Sequence, residues 1–224
     1  MIPLLELCSV GKVYPGGVAT RALEEVSFAV APGEFVALVG ASGSGKTTLL
    51  NLVGLLDTPT EGSLRLAGRD VTGAAEDLRA ELRRDLLGFV FQFHYLLPEF
   101  TALENALMPL RIRGTAAEDA GRARVRALLE KVDLGDRLHH RPGQLSGGQQ
   151  QRVAVVRALA NDPQVILADE PTGNLDSRNA HAVCDLLRSL TKELHKSVLL
   201  VTHDETIAAK ADRILHLRDG RLVT

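Results

Sequence analysis

The sequence predicts an α/β fold in which a parallel sheet is covered by helices on both faces, and three observations carry that prediction. Glu34–Val39, Gln164–Glu170 and Ser197–His203 are short aliphatic runs that give way to polar residues or glycine, the pattern of strands buried on both faces. A glycine-rich segment, 40–47, follows the first run directly and leads into apolar residues at helical spacing over Thr47–Val53. Between the first and second runs, Thr115–Val132 and the stretch after Ser146 both repeat apolar residues with helical period. A chain of 224 residues buries a full core as one domain, or as a domain with an inserted lobe.

The loop after the first strand has a specific chemistry. Gly40-Ala-Ser-Gly-Ser-Gly-Lys46-Thr47 fits the spacing Gly-x4-Gly-Lys-[Ser/Thr] between a strand and a helix. Glycines let successive backbone N–H groups turn inward, and the helix N-terminus adds partial positive charge. Gly40, Ser42, Gly43, Ser44, Gly45, Lys46, Thr47 and Thr48 are therefore expected to cradle a nucleoside triphosphate. Lys46 is placed for the β- and γ-phosphates and the Thr47 hydroxyl for magnesium. This loop alone leaves the reaction open, because kinases, GTPases, helicases and transport ATPases all use it.

Ligands of such sheets sit at the carboxyl ends of the strands, where the sequence puts Lys46, Asp169, Glu170 and His203. Asp169 closes an aliphatic run and is suited to hold magnesium. Glu170 follows at once and is left free as general base toward a water attacking the γ-phosphate. His203 is expected to hydrogen-bond the γ-phosphate and orient that water. A second anion-binding helix terminus is expected at Ser146, an N-cap followed by Gly147, Gly148 and Gln149.

Composition excludes several classes. A net charge of −2 argues against a general electrostatic grip on nucleic acid. No apolar run reaches the roughly 18–20 residues of a membrane span, and no secretory leader is expected at the N-terminus. Cys8 and Cys184 are too few for a disulfide framework or zinc site and are expected to be reduced structural residues. His139 and His140 lack companions at metal spacing.

With these motifs in this order, the chain resembles the nucleotide-binding subunits of ATP-binding cassette (ABC) transporters. Leu145-Ser-Gly-Gly-Gln149 matches the family signature, Asn174-Leu-Asp176 its loop after the second Walker motif, and Gln92 the glutamine joining the core to a helical lobe. The resemblance implies a P-loop NTPase fold with a RecA-like core, an N-terminal antiparallel β subdomain and an α-helical subdomain at 93–159, inserted between 1–92 and 160–224. It implies a head-to-tail homodimer enclosing two ATP molecules, each held by Lys46 and Thr47 of one copy and capped by Ser146, Gly148 and Gln149 of the other. Asp176 would communicate between the sites, Gln92 would join Thr47 and Asp169 around magnesium, and Tyr14 would stack on adenine.

Gln92 begins a segment that separates relatives within the family. Phe91-Gln-Phe-His-Tyr-Leu-Leu-Pro-Glu-Phe-Thr-Ala-Leu-Glu-Asn resembles the ATPases of lipoprotein-releasing systems, with Tyr95 standing where that branch has a second histidine. The branch also includes macrolide-export and cell-division ATPases. It implies a peripheral subunit at the cytoplasmic face of the inner membrane, whose integral partners dock near residues 92–110. Phe93, Tyr95, Leu96, Leu97 and Phe100 are candidates to line the docking groove or to fill the lobe's own core, Glu99 to face partner cations or stand as a surface charge, and Arg111 and Arg113 read as exposed arginines without a role, with lipid or partner contact as the alternative.

Rival classes predict different features. Chromosome-maintenance relatives carry long heptad arms and repair relatives zinc modules, neither of which occurs here. An iron–sulfur assembly ATPase is opposed by the segment after Gln92, and a small-molecule kinase would have no use for Leu145–Gln149. At the end of the chain, Asp219-Gly220 between two apolar segments reads as a hairpin turn, with no regulatory domain expected beyond it.

Overall fold

A computed structural model of the chain describes residues 2–17 and 19–223. Two sheets carry the fold. In the first, β1 (Leu5–Tyr14), β2 (Thr20–Val30), β4 (Glu61–Leu66) and β5 (Arg69–Asp70) pair antiparallel in the order β2-β1-β4-β5. The second has the order β10-β9-β3-β8-β7-β6, where β3 is Phe35–Val39, β6 Leu87–Phe91, β7 Val165–Asp169, β8 Ser197–Val201, β9 Arg213–Arg218 and β10 Arg221–Val223. Its five strands β9, β3, β8, β7 and β6 run parallel, and β10 returns antiparallel to β9.

The aliphatic runs form the centre of the parallel sheet because they bury both faces. In β7, Val165 and Leu167 face the antiparallel sheet and α1 (Lys46–Val53), whereas Ile166 and Ala168 face the helices of the opposite side. Leu199 and Val201 of β8 join the first set, and Val198 and Leu200 the second. This period-two split explains why these strands read as continuous apolar runs rather than alternating ones.

The helical side consists of α3 (Ala102–Arg113), α4 (Thr115–Lys131), α5 (Gly147–Leu159) and α6 (Ser177–Leu194). A capping box between Thr101 and Glu104 starts α3, and Val125, Leu128 and Leu129 form the buried face of α4. One apolar cluster runs from Leu107 and Leu129 in these helices through Val155 and Leu159 of α5 to Ile166 and Val198 of the sheet. Helix α5 is therefore packed against the lobe and the sheet at once. Two shorter helices, α2 (Glu76–Leu86) and α7 (Glu205–Ala208), complete the fold. None of the described helices is long and apolar enough to cross a membrane.

Candidate functional site

The loop 40–47 connects the carboxyl end of β3 to the start of α1. Gly45 caps the helix in the left-handed conformation, φ 104°; a Cβ there would lie 2.6 Å from the Ala22 carbonyl oxygen, so glycine is required twice over. No side chain caps α1, which leaves its first N–H groups turned toward the loop. Lys46 Nζ donates to the carbonyls of Gly40 and Ala41, both at 2.8 Å. The ammonium has three N–H donors, so one is left for a further acceptor. The loop is propped from behind by the hairpin turn, where Gly220 N–H donates to the Ser44 carbonyl at 3.0 Å.

Around this loop lies a cavity of about 850 Å³. Gly40, Ser42, Gly43, Gly45, Lys46, Thr47 and Thr48 form one side, and Gln92, Asp169, Glu170 and His203 the other. Four parallel strands, β3, β6, β7 and β8, thus deliver their carboxyl-terminal residues to one place, as the general rule for such sheets requires. Ser44 departs from the sequence expectation in one respect: its hydroxyl is buried without a hydrogen-bond partner, off the cavity wall.

The carboxylates differ in setting. Burial, with repulsion from Glu170, raises the Asp169 pKa, against the pull of Lys46. Glu170 sits at φ 45°, a conformation costing a non-glycine residue about 1–2 kcal/mol. It is held there by donating its N–H to Val201 O at 2.9 Å and accepting from Gly173 N–H at 3.0 Å. In that pose Glu170 Oε1 lies 2.9 Å from His203 Nδ1, so the two residues expected to act separately on water and phosphate are paired with each other. Gln92 exchanges two hydrogen bonds with Asn174, Nε2 to Oδ1 at 3.1 Å and Asn174 Nδ2 to the Gln92 carbonyl at 3.2 Å. Thr47 and Asp169 offer a hydroxyl and a carboxylate on one cavity, the hard oxygen donors that magnesium prefers, so the donor set fits this ion.

Three other expected contact groups lie elsewhere. Ser146 caps α5, and Gln149 reaches back to its N–H at 2.9 Å; Ser146 and Gly147 are exposed, Gly148 is buried, and none of them lines the cavity. Beside it, Asp176 caps α6 and holds Asn179 by N–H and side chain at 3.0 and 2.5 Å. Those bonds keep the Asp176 carboxyl below the usual range. Asn179 Oδ1 packs on Gly148, 2.7 Å from where a Cβ would stand. Tyr14 is more than a third exposed, donates to Asp57 Oδ2 at 3.1 Å and lies under the Lys12 ammonium.

In the segment after Gln92, Phe93, Tyr95, Leu97 and Glu99 are exposed, whereas Leu96 packs on the core and Phe100 is half-buried. None of them lines the second cavity, about 590 Å³ and mostly apolar, between α2, β6 and α3, whose walls include Leu56, Phe89, Phe91, Met108 and Ile112; Tyr95 meets its edge by packing against Phe91. Arg111 and Arg113 are exposed. Both are held within the chain, Arg111 by the buried Glu118 at 2.9 and 3.0 Å and Arg113 by Asp85 at 3.3 Å. Cys184 is buried as expected, but Cys8 is exposed on β1. The walls supplied by Thr20–Ala22 and Asp219–Gly220 escaped sequence reading, since nothing local marks a strand start or hairpin turn as part of a cavity.

Comparison with known proteins agrees with this geometry. Residues 23–173 match the family model described as ABC transporter. The chain is 51% identical over 221 residues to a lipoprotein-releasing system ATP-binding protein of Pseudomonas fluorescens, covering 98% of this chain and 97% of the relative. It is 52% identical over 222 residues to a macrolide export ATP-binding/permease protein of Paracoccus denitrificans, covering 99% of this chain but only 33% of that longer protein. Among solved structures, the ATP-binding cassette MJ0796, a dimer bound to ADP and phosphate, superposes with TM-score 0.87 at 43% identity, covering 98% of this chain and 97% of the other.

Proposed function

The chain belongs to the ABC transporter family and is an ATPase, and from that premise we propose that two copies close head to tail on two ATP molecules to drive an integral membrane partner in lipoprotein release. The observation that carries the reading is the convergence of Lys46, Thr47, Asp169, Glu170 and His203 on one cavity, in a chain similar over nearly its whole length to lipoprotein-releasing ATP-binding proteins.

In this reading the N–H groups of 40–48 and Lys46 bind the triphosphate, and Glu170 accepts a proton from the attacking water. His203, paired to Glu170, fixes the carboxylate and adds a donor near the γ-phosphate. Magnesium, held by Thr47, Asp169 and Gln92, would neutralise charge on the β- and γ-phosphates. Ser146, Gly147, Gly148 and Gln149 would cap the ATP of the opposite copy, with Asp176 relaying between sites, and Tyr14 would stack on adenine. The exposure of Ser146 and Gly147 and the absence of 146–149 from the lining of the chain's own cavity support that assignment to a second copy. The γ-phosphate then bridges two surfaces, so binding closes the dimer and hydrolysis reopens it. The mutual packing of α3, α4 and α5 supports 93–159 as an inserted subdomain. The exposed Phe93 and Tyr95, and the apolar cavity that Met108 and Pro109 line, support docking of the membrane subunits near 92–110, which would hold the ATPase at the cytoplasmic face of the inner membrane.

Affinity purification of the tagged chain from native membranes tests this reading. Integral subunits carrying bound lipoprotein are the expected co-purifying material. Capture of soluble assembly factors alone would overturn it. The similarity to the macrolide exporter favours an efflux role as the second reading, which a permease partner without lipoprotein would support.

A further inference from the structure

Helix α5 carries two side chains that the site described above does not use. Gln151 is fully buried, and its amide Nε2 donates to the Phe91 carbonyl at 3.1 Å and to the Pro171 carbonyl at 2.7 Å. Two carbonyls facing one amide fix which end is the nitrogen. The opposite atom, Gln151 Oε1, is buried with no partner, a cost of about the size of a lost hydrogen bond. A polar group retained under that penalty in the middle of an apolar helix face needs a reason.

The two acceptors supply it. Phe91 directly precedes Gln92, and Pro171 directly follows Glu170. One amide therefore ties the strand end that presents the glutamine to the strand end that presents the carboxylate, and both to the helix whose first residues are Gly147 and Gly148. Nearly two turns further along, Arg157 donates to the carbonyls of His94 and Tyr95, each at 2.7 Å. The side chain is half-buried with no carboxylate partner among the described residues, and burial lowers its pKa. At the other end of the helix, the half-buried His94 imidazole lies against the Gly147 backbone.

We infer that Gln151 and Arg157 are positioning residues: they clamp the segment Phe91–Tyr95 along α5, so that a displacement of this segment reaches the Ser146–Gln149 terminus and the Glu170 loop together. The inference deepens the proposed reading, and rests on it for what moves the segment. A donor pair on Gln151 is what makes the link, since a side chain of equal volume without N–H leaves two carbonyls unpaired. The nucleotide loop 40–48 is not part of the clamp.

Gln151→Met in the full chain is the test, read by steady-state ATP hydrolysis and by amide hydrogen exchange. The expected result is a kcat about tenfold lower with KM for ATP within about twofold. Exchange should quicken together at 92–97 and 146–149 and stay unchanged at 40–48. Arg157→Lys, which keeps the cation and loses the fork that spans two carbonyls, should show the same pattern at smaller size, and decides alone if Gln151→Met does not fold. Unchanged kcat, or exchange that quickens at 92–97 without 146–149, overturns the inference. Both readouts use the isolated chain, so failure to recover a membrane partner would count against the proposed function and leave this result standing.

Discussion

The molecule has two helix starts built to meet an anion, and they are made differently. The one at Gly45 opens onto a cavity with its own cation, Lys46, its own carboxylates, Asp169 and Glu170, and a hairpin turn bonded behind the loop. The one at Ser146 exposes Ser146 and Gly147, caps itself with Ser146 and Gln149, and stands outside the lining of that cavity. In the reading proposed above, the first holds the nucleotide and the second supplies the face that caps the nucleotide of another copy.

The sharpest way to break this comparison is Glu170→Gln. Removing the proposed base should cut hydrolysis about a thousandfold while both helix starts stay intact, so ATP should hold the two faces together as a stable dimer. Size-exclusion chromatography with Mg-ATP reads the outcome, and a monomeric variant that binds ATP normally would refute the pairing of the two faces. Lys46→Ala comes next. It removes the cation that the loop itself carries and should weaken ATP binding about a hundredfold by calorimetry; unchanged affinity would show that the loop N–H groups suffice.

Gly45→Ala attacks the same site through the backbone. A left-handed residue with its Cβ 2.6 Å from the Ala22 oxygen should cost about 2–3 kcal/mol in urea unfolding. A loss under about 1 kcal/mol would mean that the loop relaxes freely and that its shape is not dictated by the fold.

The same contrast explains what was legible in the sequence. The complete site is local: a strand, a turn and a helix within Phe35–Val53 state its geometry by residue type. Asp169, Glu170 and His203 were legible because strand ends of a parallel sheet share an edge. The Glu170–His203 pair was not, since it joins residues 33 positions apart through a backbone conformation that glutamate rarely adopts. Strand β6 was not read as an element because α2 ends at Leu86 and β6 begins at Leu87 with no intervening turn residue, so neither periodicity had a boundary. The Arg111–Glu118 pair was not legible, because Glu118, seven residues on, belongs to the next helix and folds back across Gly114. Gln151 read as one of three consecutive glutamines; only the crossing of α5 over two strand ends distinguishes it.

The smallest effects fall on the second helix start, and they separate folding from assembly. Ser146→Ala removes an N-cap and should cost about 1 kcal/mol of stability. Gly147→Ala should cost nothing or stabilise by up to about 1 kcal/mol, because a Cβ there meets only Leu175 Cδ2, at an ordinary 3.5 Å. If Gly147 is glycine for the sake of the fold, urea unfolding will show a loss comparable to that of Gly45→Ala. If it is glycine so that the nucleotide of a second copy can approach the backbone, Gly147→Ala will leave unfolding and single-site ATP affinity untouched. It will then weaken ATP-driven dimerisation of the Glu170→Gln form about tenfold in analytical ultracentrifugation.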